Sequence, residues 1–241
     1  MSWKTIFSSG EPRFGADGRP LQLVRHARAR GLRLRVDPRD GSIRLTMPRR
    51  ASLRDAYRWV ESQRPWIEAQ LAQQAPRRPF LPGLGIEVAG VPLALVHDAG
   101  ARGVRRVGAT LRVGGPRDLF EARVLRWLKA EARRVMEAET RTLAARHGMA
   151  VGRVGIGDPR SRWGSCSAAG DIRYSWRLIL APDFVRCGTV AHEVAHLMHM
   201  DHGPAFRALE AALLGSDPSA GREWLRRHGT DLHLWGPLAG A

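Results

Sequence analysis

The chain has 241 residues, of which 44% are hydrophobic and 26% are charged. This composition excludes a wholly disordered chain and suffices for one sizeable core or two modest ones. No apolar run approaches the roughly 18 to 20 residues of a membrane-spanning helix, and the first eight residues lack the apolar core of a signal peptide. Two cysteines, Cys166 and Cys187, are too few for a disulfide framework. We therefore predict a cytoplasmic protein without membrane segments.

The balance of charge is strongly basic. The 39 Lys and Arg residues exceed the 23 Asp and Glu residues, which gives a net charge of +16 and a pI near 11.5. All cations except Lys4 and Lys129 are arginine. A compositional bias explains the ratio of arginine to lysine, but it does not explain the net excess. Because such a field attracts polyanions, nucleic acid or another polyanion is an expected partner of the basic surface.

Hydrophobic alternation organises the N-terminal part of the chain. Residues 1–20 lack periodicity and are rich in Gly, Pro and Ser, which predicts a loose leader. Apolar residues alternate with polar ones over 21–36 and again over 43–47, on either side of a turn at 37–41. This pattern predicts a hairpin with one buried face.

A helical pattern follows the hairpin. Ser52 is the predicted N-cap of a helix that extends to about residue 74, and Pro65 inside it predicts a kink or a break. The Gln-, Pro- and Arg-rich residues 73–79 form a predicted linker. Short apolar runs separated by Gly and Pro over 84–113 predict further strands.

The second half of the chain mixes helices and strands. Residues 118–147 carry a long helical pattern that Gly148 ends. Strands are predicted at 151–156 and 172–180, with a polar segment at 161–167 between them. Pro182 then opens a helix, and two shorter helices follow near 204–214 and 219–228.

No internal repeat is evident, and the irregular mixture of strands and helices predicts an α+β fold. We divide the chain into the leader, a β-rich part with one helical stretch over 21–117, a part with mixed helices and strands over 118–232, and a tail over 233–241. Residues 21–232 are expected to form one continuous unit.

One stretch of eleven residues, 192–202, contains four of the nine histidines. It opens with the H-E-x-x-H sequence of His192, Glu193 and His196. On a helix, residues i and i+4 lie about 40° apart around the axis, so both imidazoles can point at one Zn²⁺. Glu193 lies beside them, where a carboxylate can take a proton from a zinc-bound water. Such a string arises by chance in roughly one or two per cent of sequences with this composition, and the separate apolar side of the helix argues further against chance.

The third metal ligand depends on where the helix ends. His199 returns to the face of His192 but lies about 10.5 Å along the axis, which is too far for one tetrahedral metal. His202 reaches back if the chain turns after His199, and the residues 201–204 provide that turn. His202 is therefore the predicted third ligand, with Glu210 on the next helix as the fallback.

Three segments of this sequence resemble the YgjP-like metallopeptidases, a family related to the SprT-like proteins within the zincins. They are residues 162–167, residues 174–178, and the H-E-x-x-H motif followed by His202 and Phe206. The Arg-rich hairpin that runs into residues 48–51 is also similar, so the resemblance covers most of 21–230.

The resemblance implies that residues 118–232 are a metal-binding catalytic part with a zincin-like fold, in which the active-site helix lies against a small mixed sheet. It also implies that His192, His196 and His202 bind zinc and that Glu193 is the catalytic base. Two positions depart from the family pattern, because Gly203 stands where we expect Ser and Arg207 where we expect an aromatic residue. Both departures bear on the turn and on packing more than on the metal.

The segment that begins at Trp163 is the predicted substrate-binding edge. In zincins, an extended strand beside the active-site helix holds a peptide through main-chain hydrogen bonds, which assigns substrate binding to Trp163, Gly164 and Ser165. Cys166 is expected to be a small buried thiol, with a metal ligand or a redox switch as the alternative.

Two residues follow the second predicted strand. Trp176 is expected in the core. For Arg177 two roles remain open, namely stabilisation of a developing oxyanion in the substrate site and a structural salt bridge.

These observations predict a zinc-dependent hydrolase, most simply a metallopeptidase that acts on peptides or proteins through a Glu193-activated zinc-bound water. One alternative is a metal-dependent hydrolase of nucleotide phosphoanhydrides, although the sequence has no G-x-x-x-x-G-K loop. The other alternative is a basic nucleic-acid-associated protein with a structural zinc, although such sites use four protein ligands and no fourth candidate is obvious.

Overall fold

The computed structural model describes residues 13–15, 19–37 and 40–236. The chain divides into two compact units, Met1–Pro76 and Arg77–Ala241. The division falls inside the predicted linker at 73–79. Most of the predicted leader and the last five residues of the predicted tail lie outside the described residues.

A four-stranded sheet and two helices form the first unit. The strands are β1 (Arg13–Phe14), β2 (Arg19–His26), β3 (Arg33–Val36) and β4 (Ile43–Pro48), in the order β1-β2-β4-β3. Helices α1 (Leu53–Ser62) and α2 (Arg64–Ala72) follow. One face of the sheet and these helices share a core, whose buried members include Leu21, Ile43, Leu45, Met47, Val60 and Ile67.

The predicted hairpin is present, but it involves only part of the alternating segment. β3 and β4 pair antiparallel, whereas β2 lies on the other side of β4 and pairs with it in parallel. A loop at 27–32 separates β2 from β3. The apolar residues are odd-numbered in β2, as at Leu21 and Leu23, and even-numbered in β3, as at Leu34 and Val36. One continuous strand would place the two sets on opposite faces, so the chain turns between them instead.

The predicted features of the following helix are confirmed. The Ser52 hydroxyl accepts a hydrogen bond from the Asp55 backbone N–H at 3.3 Å and caps α1. The pattern breaks at Gln63, and Pro65 lies in the first turn of α2, where its missing N–H costs no helical hydrogen bond.

The second unit begins with another four-stranded sheet. Its strands are β5 (Gly85–Val88), β6 (Val91–Asp98), β7 (Val104–Val107) and β8 (Thr110–Gly114). Their order, β5-β6-β8-β7, and their pattern of antiparallel and parallel pairs repeat those of the first unit. The strand topology therefore occurs twice in the chain, although no repeat is evident in the sequence.

The long helix α3 (Phe120–Arg146) ends two residues before Gly148, as predicted. A three-stranded sheet follows, formed by β9 (Val154–Gly157), β10 (Gly164–Cys166) and β11 (Ile172–Ser175) in the order β10-β11-β9. The predicted strand at 172–180 stops at Ser175, whose hydroxyl caps a 3₁₀ helix over Trp176–Leu180. Trp176 is fully buried, as expected.

Three helices complete the second unit: α4 (Asp183–Ala195), α5 (Pro204–Leu214) and α6 (Ser219–Leu232). Helix α4 contacts α3, α5, α6 and β10, so its residues lie at the centre of the unit. The core extends continuously from β5–β8 through α3 to α4. The predicted start of the catalytic part at residue 118 thus lies inside this unit, because the strands before it share the core of the helices after it.

The fold is α+β, as predicted. Among the described residues, the helices are all too short or too polar to cross a membrane.

Candidate metal centre

Helix α4 carries the first two predicted ligands. It begins after Pro182, and its apolar side, which includes Val190, Ala191 and Val194, is fully or almost fully buried. This packing fixes the rotation of the helix, so that His192 projects from the opposite, partly open side. His196 is the C-cap, the residue that directly follows the last helical residue, Ala195.

The chain turns earlier than we predicted. The helix ends at Ala195 rather than after His199, and the backbone N–H of His199 bonds to the Ala195 carbonyl at 3.1 Å. The turn returns His202 to the helix, where its Nε2 atom lies 3.3 Å from Nε2 of His192. One ligand atom from each of His192, His196 and His202 lies within 4.8 Å of the others. The structure therefore brings the three predicted ligands together.

A single aromatic ring supports all three imidazoles. Phe206 on α5 is buried, and its ring centroid lies 5.0 Å from that of His192, 4.6 Å from that of His196 and 4.8 Å from that of His202. Packing of this kind restricts the rotamers of the imidazoles before any ligand binds.

Hydrogen bonds fix the orientation of two of the rings. Nδ1 of His192 donates to Oε1 of Glu210 at 2.9 Å, and Nδ1 of His196 donates to the backbone carbonyl of His199 at 3.0 Å. Each of these bonds holds the proton on Nδ1 and leaves Nε2 with a lone pair for a metal. Burial also lowers the pKa of His196, which favours the neutral form that binds metals.

Glu210 lies behind His192 rather than among the ligand atoms. Its carboxylate is buried, and it also accepts hydrogen bonds from Arg222 at 2.9 and 3.0 Å. The sequence predicts Glu210 only as a fallback ligand and predicts no role for Arg222. Neither contact has a signal in the local sequence, because each depends on how α5 and α6 pack on α4.

Glu193 is the one carboxylate of the motif. Its side chain is almost wholly buried, and Oε2 has no hydrogen-bond partner among the described residues. Burial raises the pKa of Glu193 to about 7, while the charge of Arg162 acts in the opposite direction. A buried carboxylate without a partner is costly, which is typical of a group that meets its partner in a complex.

Gly164 at the start of β10 adjoins this carboxylate. A Cβ atom at residue 164 would lie 2.7 Å from Cγ and Cδ of Glu193, closer than carbon atoms approach without a shift. Glycine therefore lets the strand backbone pass directly against Glu193. The same segment is anchored by Trp163, whose ring packs against α6 at Gly229 and lies 5.0 Å from the ring of His233.

Strand β10 is an edge of its sheet. It pairs with β11 on one side only, with Ser165 opposite Arg173. A cavity of about 260 Å³ opens between this segment, α4 and α6, beside His192 and Glu193. Its apolar lining includes Trp163, Val185, Pro218 and Leu225.

Arg177 lies in a different environment. Its side chain is 3% exposed, and its guanidinium donates to both carboxylate oxygens of Asp158 at 2.8 and 3.0 Å. It also donates to the backbone carbonyls of Leu232 and Trp235 at 2.9 and 2.6 Å. Of the two predicted roles for Arg177, these contacts match the structural salt bridge and not the stabilisation of an oxyanion in the substrate site.

Cys166 is partly buried and forms no disulfide. Burial raises the pKa of its thiol, so it carries little thiolate. It does not belong to the group of three histidines.

Comparison with protein families supports these observations. A model of the YgjP-like metallopeptidase domain matches residues 30–228, which is most of the chain. Neither a comparison with curated proteins nor one with solved structures gave a match. The family supports a metal-dependent hydrolase or peptidase, and the three histidines are positioned to bind the metal. By this match, the chain belongs to the YgjP-like metallopeptidase family.

Proposed function

We propose that this protein is a zinc-dependent metallopeptidase of zincin type, with His192, His196 and His202 as the metal ligands. The observation that carries the proposal is the convergence of three imidazoles on one point while two of them have their Nδ1 atoms held by Glu210 and a backbone carbonyl. Within the described residues no fourth ligand joins these three histidines, and three nitrogen ligands with an open fourth position are typical of a catalytic rather than a structural zinc site. When bound, zinc would lower the pKa of a water and polarise a carbonyl.

Glu193 would be the general base. Its unpaired Oε2 atom can accept a proton from water and then deliver it to the leaving amine of the substrate. Gly164 keeps the carboxylate in place, because the strand backbone leaves it little room to rotate away. We assign no catalytic role to Arg177.

The substrate would be an extended peptide. The free edge of β10 offers main-chain donors and acceptors beside α4, and a peptide can add to such an edge as a further strand. The cavity beside Glu193 can then receive one apolar side chain of that peptide. Trp163 and Ser165 are the proposed substrate-binding residues on this segment.

The replacement Glu193→Gln tests the base. We expect the variant to retain bound zinc by elemental analysis but to lose at least about a hundredfold in peptide hydrolysis. Glu137→Gln is a matched control, because that carboxylate pairs with Arg141 on the surface of α3. Full activity of the Glu193→Gln variant would remove Glu193 from the mechanism.

The replacement His202→Ala tests the metal site. We expect it to lower zinc content well below that of the unaltered protein, whereas His199→Ala should leave zinc content unchanged. Equal zinc content in all three proteins would contradict the ligand set.

A substrate panel separates the peptidase from its alternatives. Chelator-sensitive hydrolysis of casein or peptides, without hydrolysis of nucleoside triphosphates, supports the proposal. The reverse result identifies a phosphoanhydride hydrolase, and zinc without either activity identifies a structural site.

We also propose a cytoplasmic location. The thiols of Cys166 and Cys187 are both free, as expected in a reducing compartment. Fractionation of cells that express the protein tests this proposal.

A further inference from the structure

The first unit concentrates exposed arginines at one end of its sheet. Residues 1–76 contain fifteen Lys or Arg residues and seven Asp or Glu residues, so about a third of the chain holds half of its net charge. We call the following exposed residues the arginine end: Arg25, Arg28, Arg30, Arg33, Arg49 and Arg50.

The topology brings these six residues together. β2 and β4 are parallel, so Arg25 near the end of β2 lies beside residues 48–50 at the end of β4. β3 is antiparallel to β4, so Arg33 at its start lies at the same end, and the loop that carries Arg28 and Arg30 joins β2 to β3 there. The guanidinium of Arg25 also donates to the backbone carbonyls of Arg49 and Ala51, which ties the two strand ends together.

No carboxylate among the described residues pairs with any member of the arginine end. Two arginines on the helices of the same unit do have such partners: Arg58 pairs with Asp55, and Arg64 pairs with Glu61 and Glu68. At the arginine end, six charges without such partners lie together at one end of the sheet.

The adjoining face of the sheet has the same character. Arg35 on β3 lies directly opposite Arg44 on β4, an arrangement of like charges that destabilises a sheet. The second unit provides an internal comparison, because Arg105 and Arg112 are opposite each other at the corresponding strands β7 and β8. There, Arg112 has the carboxylate of Asp98 at 3.5 Å, whereas Arg44 donates to the neutral Gln22 and has no ion pair within the part of the chain that the structure describes.

We propose that the arginine end is a binding site for the phosphate backbone of duplex DNA. Clustered guanidinium groups without carboxylate partners are suited to phosphate, because each contact releases counterions from the nucleic acid. Recognition of single strands relies on aromatic rings for base stacking, and residues 25–33 and 46–51 contain no Phe, Tyr or Trp and one such ring, that of His26. The site is one end of a small sheet, which fits a single stretch of backbone, whereas proteins that recognise duplex RNA by shape span about 16 base pairs. This inference does not rest on the proposed peptidase activity.

The test measures binding of the full chain to a fluorescein-labelled DNA duplex over a range of salt concentrations. The variant Arg28→Gln/Arg30→Gln/Arg33→Gln removes three charges from the arginine end. The variant Arg102→Gln/Arg105→Gln/Arg106→Gln removes three exposed charges from the second unit and is the matched control. Because each phosphate contact contributes about 0.9 to the slope of log K against log salt, we expect the first variant to lower the slope by about 2 to 3 and to weaken binding at 0.1 M salt about tenfold or more. The control should retain most of its affinity.

A second variant, Arg49→Gln/Arg50→Gln, should also weaken binding, and circular dichroism checks that each variant is folded. Absence of duplex binding at low salt overturns the proposal, as does an equal loss in the control. Tighter binding of duplex RNA, of a single strand, or of vesicles that contain anionic lipid also overturns it.

Discussion

The contact between Glu210 and His192 yields a quantitative prediction about metal affinity. The carboxylate accepts the Nδ1 proton of His192 at 2.9 Å and is itself held by Arg222. Hydrogen bonds of this kind fix the orientation of a histidine ligand and raise its basicity. Replacement of Glu210 should therefore weaken metal binding even though Glu210 is not a ligand.

The size of the effect follows from what each replacement leaves behind. Loss of such an outer partner costs 10- to 100-fold in metal affinity, or about 1.4 to 2.7 kcal/mol. Glu210→Gln keeps an oxygen that can accept the Nδ1 proton but removes the charge, so we expect about a tenfold loss. Glu210→Ala removes both, leaves a space behind His192, and should approach a hundredfold loss. Arg222→Gln should have a smaller effect, because the Arg222 side chain is 56% exposed and its pair with Glu210 is screened by solvent.

The assay is competition for Zn²⁺ between the metal-free protein and a chromophoric chelator of known affinity. Glu137→Gln is again the control, because it also removes one carboxylate, which pairs with Arg141 on α3 and contacts none of the three histidines. Unchanged zinc affinity in both Glu210 variants would refute the positioning role and would make the Glu210–Arg222 pair purely a support of packing between α5 and α6. A complete loss of binding in both would instead identify Glu210 as a direct ligand.

Two further predictions concern the surroundings of the site. Gly164→Ala should displace the carboxylate of Glu193 and lower peptide hydrolysis at least about tenfold, with zinc content unchanged; retained activity would mean that the strand can move aside. Asp158→Ala should lower the free energy of unfolding at pH 7 by about 3 kcal/mol, because it leaves the buried guanidinium of Arg177 without a counter-ion. Burial acts to raise the pKa of Asp158, but the hydrogen bonds and charge of Arg177 outweigh it and hold this pKa below its ordinary value. The stabilisation by this pair is therefore present above the unfolded pKa of about 3.9 and is lost as the pH falls through the pKa of Asp158 in the folded protein. Urea unfolding at pH 7 and pH 3 should show that the difference in stability between the two proteins shrinks in acid.

The convergence of the three histidines could be predicted because it depends on local geometry. The spacing of His192 and His196 requires only a helix, and the return of His202 requires only a turn that Gly203 and Pro204 favour. The end of the helix was predicted less accurately. The helix stops at Ala195, four residues before the predicted turn. His202 still meets His192 and His196, because an earlier turn returns it to the same face of the helix.

The supporting contacts could not be predicted, because they join residues far apart in sequence. Glu210 is 18 residues from His192, and Gly164 is 29 residues from Glu193, so no periodicity relates either pair. Each pair is brought together by the packing of α5 and β10 on α4. Composition therefore identifies the groups that bind a metal, whereas tertiary packing decides which groups orient them.

The boundary between the units shows the same limit at the scale of the fold. Sequence patterns grouped the strand-rich residues 21–117 because strands and helices differ in hydrophobic period. The structure instead assigns each four-stranded sheet to the helices that follow it, with β5–β8 sharing a core with α3 and with α4, α5 and α6. A unit is defined by the core that its elements bury together, and two copies of one topology can bury different cores. The first copy is thus a separate unit that carries exposed arginines, and the second supports the metal centre, although their strands are ordered and paired alike.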